Sequence, residues 1–234
     1  MRLPSLMLAA VGLALLAPSA SQAAAPRVPT ELLEKRVAQK DDVSAADLLA
    51  RVRTCHPVSA GRYRTDAGAD RTVPVCGTSE AVFWTADMDI DCDGRAGAKC
   101  NRRTDPLFSG STAYPQSDGR PLSAEEVPYI VVPAPSGIWD YREHGVHGGS
   151  VAAVVHDGRV RYAVVGDTGP RDVIGEASYA TAEALGIRAD PRGGGAASDV
   201  TYIVFKDARV RPIEDRAAAE TLGRRLSRRF VDGG

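Results

Sequence analysis

Residues 151–165 constrain the fold more than any other stretch. Val151-Ala152-Ala153-Val154-Val155-His156 runs into Asp157-Gly158 and returns as Val160-Arg161-Tyr162-Ala163-Val164-Val165. Asp-Gly between two apolar runs is the signature of a tight primed turn, whose twist matches that of antiparallel strands. Neither strand alternates cleanly between apolar and polar residues, so both faces must be covered, as in a closed barrel or beneath other segments. A one-sided open sheet is excluded.

Other short segments have the same β character: Val82 to Thr85, Tyr129 to Val132 and Thr201 to Phe205. Helical signals are few. Ser44-Ala45-Ala46-Asp47 forms a capping box ahead of Leu48, Leu49 and Val52, which predicts a helix to about Arg53. A second helix is predicted from Ser178 to Leu185, closed by Gly186. A third opens at Pro212 and runs through Ala217-Ala218-Ala219 to about Phe230. The order lacks the strand-helix alternation of a doubly wound sheet, so a mainly β single domain follows.

The N-terminus reads as an export signal. Met1-Arg2, the apolar stretch Leu6 to Leu16 and the small residues up to Ala25 assign 1–25 to a signal peptide. Residues 26–43 are polar without an apolar period and read as a flexible arm. This leaves 44–234 as the one folded domain. No later run reaches the roughly 20 apolar residues that a membrane span needs. A secreted, extracellular protein without membrane contact is expected.

Export bears on the four cysteines, Cys55, Cys76, Cys92 and Cys100, which sit within 46 residues of one another. In an oxidising compartment they are expected as two disulfides, favoured as Cys55 with Cys76 and Cys92 with Cys100 because each pair closes a local loop. Zinc is the poorer reading, since no Cys-x-x-Cys pair is present and only His56 stands beside a cysteine. The formal net charge of −1 argues against a nucleic-acid partner, which would call for a basic face.

Two acidic clusters remain. Asp87, Asp89, Asp91 and Asp93 alternate with other residues directly after an apolar strand. An extended chain would place all four on one face, where their repulsion calls for a cationic partner. Asp89, Asp91, Asp93 and Gly94 also match the start of a calcium loop, but position 12 falls on Cys100 rather than on the required Glu. A solvated acidic turn is the plain alternative.

In the second cluster the strand of the central hairpin ends at Gly166-Asp167-Thr168-Gly169-Pro170, and Gly175-Glu176 precedes the second predicted helix. Acids at the ends of rigid elements suit catalysis, and apolar Val173 and Ile174 would raise the pKa of Glu176. Two carboxylates are the minimum apparatus for glycosidic cleavage. On spacing alone, a turn-capping Asp and a helix-starting Glu explain the same residues. His144 and His147 read as exposed loop residues. No serine sits in a nucleophile elbow and no cysteine is set up as a thiol nucleophile.

The chain resembles the family 75 glycoside hydrolases, a chitosanase group first known from filamentous fungi. The resemblance rests on Phe83 to Gly94, Pro128 to Pro133, Tyr162 to Pro170, Ile174 to Ser178 and Val200 to Phe205, in family order. It implies a six-stranded double-psi β-barrel-like core with a few short helices. It also implies Asp167 and Glu176 as the catalytic pair, acting with inversion, and no cofactor or metal. Glu176 is expected as general acid and Asp167 as general base.

Chitosan, a polycationic β-1,4-linked glucosamine polymer, is the expected partner of a monomeric endo-acting enzyme. Asp87, Asp89, Asp91, Trp84 and Thr168 are the expected substrate-binding residues. A non-catalytic polysaccharide-binding barrel and a calcium-dependent surface module are the two competing readings.

Overall fold

The structure is a computed structural model that describes residues 43–233. The expected signal peptide and nearly all of the arm lie outside them. Seven strands and three helices follow in the order α1 (Ala45–Arg51), β1 (Cys76–Gly77), β2 (Ala81–Asp91), β3 (Tyr129–Pro133), β4 (Ser150–His156), β5 (Arg159–Gly169), β6 (Glu176–Ser178), α2 (Tyr179–Leu185), β7 (Ala196–Arg209) and α3 (Arg216–Asp232). The sheet order is β1-β2-β6-β3-β5-β4-β7, and β7 pairs back onto β2. Strands β2 to β7 therefore close a six-stranded barrel, with β1 as an extra strand on its outside. The barrel is mixed: β2–β6 and β3–β5 are parallel, and the other pairings are antiparallel.

The central hairpin forms as its sequence demands. Val151 pairs with Val164 and His156 with Arg159, while Asp157 (φ 46°) and Gly158 (φ 70°) both adopt the left-handed backbone that a type I′ turn requires. Its two faces go to two cores. Ala152, Val154, Ala163 and Val165 point into the barrel with Trp84 and Tyr202. Val151, Ala153, Val155 and Val164 face an outer layer with Leu48, Phe205 and Phe230. Helices α1 and α3 supply part of that outer cover, which is why these strands carry apolar residues at successive positions.

The helices match the sequence with small shifts. The capping box of α1 is present: Asp47 N–H donates to Ser44 Oγ (3.1 Å) and Ser44 N–H to Asp47 Oδ2 (3.2 Å). Helix α3 starts at Arg216, later than Pro212 suggested, because Asp215 caps it by accepting from Ala218 N–H at 2.9 Å. Both favoured disulfides form, Cys55–Cys76 and Cys92–Cys100. With no free cysteine among the described residues, zinc ligation by thiolates has no donors. Among the described residues no helix is long and apolar enough to cross a membrane.

Three local departures matter for the site. Strand β2 does not stop at Thr85 but carries the acidic run to Asp91. Strand β5 continues through Asp167 to Gly169, so Asp167 belongs to a strand and not to a turn. Glu176 begins a three-residue strand, β6, wedged between β2 and β3.

Candidate active site

The barrel brings the two sequence-predicted acids to one cleft. Asp167 lies on β5 opposite Val131 of β3. Its Oδ1 accepts two backbone donors, Ala113 N–H and Thr168 N–H, both at 2.7 Å. Glu176 opens β6 with Asp89 of β2 as its parallel partner. Gly169 makes room for it: a Cβ there would lie 2.5 Å from Glu176 Oε2. Asp167 and Glu176 both line a cleft of about 510 Å³, together with Asp89, Asp91, Asp93 and Thr168.

The cleft is strongly acidic. Asp105 and Asp190 complete seven acidic residues in its lining, against one basic residue, Arg192. Burial raises the pKa of Asp167 to about 6, against the opposing effect of its two amide donors. Burial, reinforced by Asp89, Asp93, Asp167 and Asp87, raises that of Glu176 to about 7. Asp91 is driven well above the usual carboxylate range, chiefly by burial, and Asp93 is raised as well. Such a site gains by taking up protons or a cation.

Local hydrogen bonds give the acidic run its shape. Asp91 Oδ1 accepts from Asp93 N–H (2.6 Å), turning the chain at the end of β2, and Asp93 Oδ1 accepts from Ser109 N–H (2.7 Å). Backbone amides thus engage one oxygen of each of these two carboxylates. The far wall is tied together by Arg192. Its guanidinium donates to the carbonyls of Thr104 (2.9 Å) and Arg103 (2.5 Å), joining the 188–195 loop to the segment that carries Asp105 and Leu107.

Two expected substrate-binding residues lie elsewhere. Trp84 is 1% exposed and stacks on Tyr202 at 5.3 Å inside the barrel, where no sugar ring reaches it. Asp87 keeps the alternation of the run, opposite the inward-facing Ala86 and Met88, but at the level where the pairing with β7 shifts register it is covered by neighbouring chain. It is 6% exposed and is absent from the cleft lining. Asp105, Asp190 and Arg192 were not singled out in the sequence. They come from loops without periodicity, and only the tertiary fold carries them to the cleft.

The sequence pattern of the fungal chitosanases of glycosyl hydrolase group 75 matches residues 88–225, more than half of the chain. The chain belongs to this family. Relatives include Endo-chitosanase C of Aspergillus oryzae, 34% identical over 157 residues, which are 64% of this chain and 37% of that protein. An Endo-chitosanase of the same organism is 36% identical over 51% of this chain and 54% of its own length. The Endo-chitosanase of Aspergillus fumigatus is 31% identical over 176 residues, 66% of this chain and 72% of that protein. The chain thus spans from about a third to about half the length of the two Aspergillus oryzae relatives. The family match covers Asp89, Asp91 and Asp93, both Asp167 and Glu176, and the 188–195 loop.

Proposed function

We propose that this protein is an exported endo-chitosanase that hydrolyses β-1,4-linked glucosamine polymers with inversion at the anomeric carbon. The observation that carries the proposal is the meeting of Asp167 and Glu176 in one cleft whose lining is otherwise mostly acidic. Membership of a chitosanase family and the names of the relatives support it.

Glu176 acts as the general acid. Burial raises its pKa to about 7 and that of Asp167 only to about 6, so between these values Glu176 still holds a proton, which it delivers to the glycosidic oxygen as the bond breaks, while Asp167 is ionised. Asp167 acts as the general base. Its two amide donors favour the ionised form relative to an equally buried carboxyl without them, and it takes a proton from the water that attacks the anomeric carbon. The water proton ends on Asp167, the Glu176 proton on the leaving sugar, and solvent exchange restores both acids. The remaining acids recognise the substrate: Asp93, Asp105 and Asp190 offer negative charge to the ammonium groups that distinguish chitosan from acetylated chitin.

The test is release of reducing ends from chitosan, chitin and cellulose, with the first anomer followed by proton NMR. Chitosan is expected to be cut at least tenfold faster than the two neutral polymers, with the α-anomer appearing first. Binding to chitosan without release of ends would replace the enzyme with a polysaccharide-binding barrel. Initial release of the β-anomer would replace inversion with retention.

A further inference from the structure

A second acidic group stands beside the cleft. Asp66, Asp87 and Asp89 each offer a carboxylate oxygen, and these oxygens all lie within 4.8 Å of one another. Asp66 comes from the 63–73 loop, while Asp87 and Asp89 lie on β2. Asp66 and Asp89 are exposed, so the group is open to solvent on one side.

An independent feature points to a ligand. Asp87 is 6% exposed, and its Oδ1 is sealed from solvent without a hydrogen-bond donor. Leaving a buried oxygen in this state is costly, and more so when it is charged. The fold nevertheless makes specific room for it. Gly175 adopts φ +118°, and a Cβ at that position would lie 2.0 Å from Asp87 Oδ1. The charges acting on Asp87 are those of Asp89 and Asp66, which add to its repulsion.

We propose that Asp66, Asp87 and Asp89 bind one divalent cation of the hard, oxygen-preferring class, with calcium as its best fit. Calcium takes carboxylate oxygens at 2.3–2.6 Å, so two ligands on opposite sides of one ion stand about 5 Å apart, a span that covers this group. Three monodentate carboxylates leave room for water on the exposed side. The cation would satisfy the orphaned Asp87 oxygen and remove the repulsion among three acids.

The site also has a structural consequence. The 63–73 loop holds the segment before β6 through its backbone: Arg64 N–H donates to Asp172 O (3.1 Å) and Ile174 N–H to Arg64 O (3.0 Å). On the other side, Asp89 N–H donates to Gly175 O (2.7 Å). A cation clamping Asp66 to Asp87 and Asp89 therefore braces the stretch that leads into Glu176 from both sides. Asp66 and Asp87 do not line the cleft, so their substitution separates this site from the cleft.

The experiment is thermal unfolding and isothermal titration of the chelator-treated full chain with calcium chloride, and in parallel with magnesium chloride and with glucosamine hydrochloride. Wild type is expected to bind one calcium and to gain about 5–10 °C in Tm at a hundredfold excess over Kd. Asp66→Asn and Asp87→Asn should each lose at least tenfold in calcium affinity, with most of the Tm gain, while folding normally without the ion. Absence of a calcium or magnesium effect in wild type overturns the proposal, as does an equal gain in both variants. A gain that glucosamine produces and the metals do not, lost in Asp66→Asn, would assign the group to an ammonium instead. None of these readouts depends on hydrolysis, so the site and the proposed activity fail or stand separately.

Discussion

Two amide donors meet on a single oxygen of Asp167, which fixes the carboxylate without neutralising it. Because both bonds fall on Oδ1, an asparagine there keeps them while removing the charge. The same buried charge weakens the fold. The Asp167 pKa rises from 3.8 to about 6 on folding, so the native state holds its proton more tightly than the unfolded chain. Its contribution to stability is complete below about pH 4 and is lost as pH rises through about 6, a change on the order of 3 kcal/mol. Asp167→Asn is therefore expected to be more stable than wild type at pH 7.5 and equal to it near pH 4, as read by urea unfolding at the two pH values. Equal stability at pH 7.5 would show that the carboxylate is not strained by burial. This is the trade of stability for activity expected where a fold holds its reacting groups out of water.

At the scale of elements, the site depends on short pieces held by distant ones. The β4–β5 hairpin was legible because its information is local: a turn dipeptide and strands too apolar to leave either face wet. The first part of β2, and β3 and β7, were legible for the same reason. Strand β6 was not, since three residues carry no period and its pairing with Asp89 is a tertiary event. The acidic half of β2 was legible as extended chain with its acids on one face, but the covering of Asp87 by the segment around Gly175, which separates it from the cleft acids, was hidden because that contact is tertiary. Two disulfides support these elements unequally. Cys55–Cys76 closes a span of 21 residues and Cys92–Cys100 one of 8, which in the chain-entropy picture stabilise by about 3.3 and 2.5 kcal/mol. Replacing each pair by serine should lower the urea midpoint in that order. A larger loss from the shorter loop would mean that Cys92–Cys100 acts through the geometry of the acidic turn beside it.

For the whole molecule, the formal charge is only −1 while one cleft gathers seven acids, so the acidity is a property of the site and not of the surface at large. Exposed charges are screened beyond about 10 Å at 0.1 M salt, and attraction to a cationic polymer should weaken accordingly. KM for chitosan is expected to rise with salt in wild type and to rise less steeply in Asp93→Asn, whose Oδ1 can still accept from Ser109. Identical salt slopes would remove Asp93 from substrate recognition. The family resemblance supplied the barrel, and a mainly β fold with strands covered on both faces was within reach of the sequence pattern. The loops that complete the cleft were not, because Asp105, Asp190 and Arg192 acquire their meaning only from the fold. The rate of reducing-end release from chitosan by Asp167→Asn and Glu176→Gln, each shown to be folded, tests the pairing of these two acids most directly. Each variant should lose about 10²–10⁴-fold against wild type. Retention of more than about a tenth of the wild-type rate by either would contradict the assignment of hydrolysis to this pair.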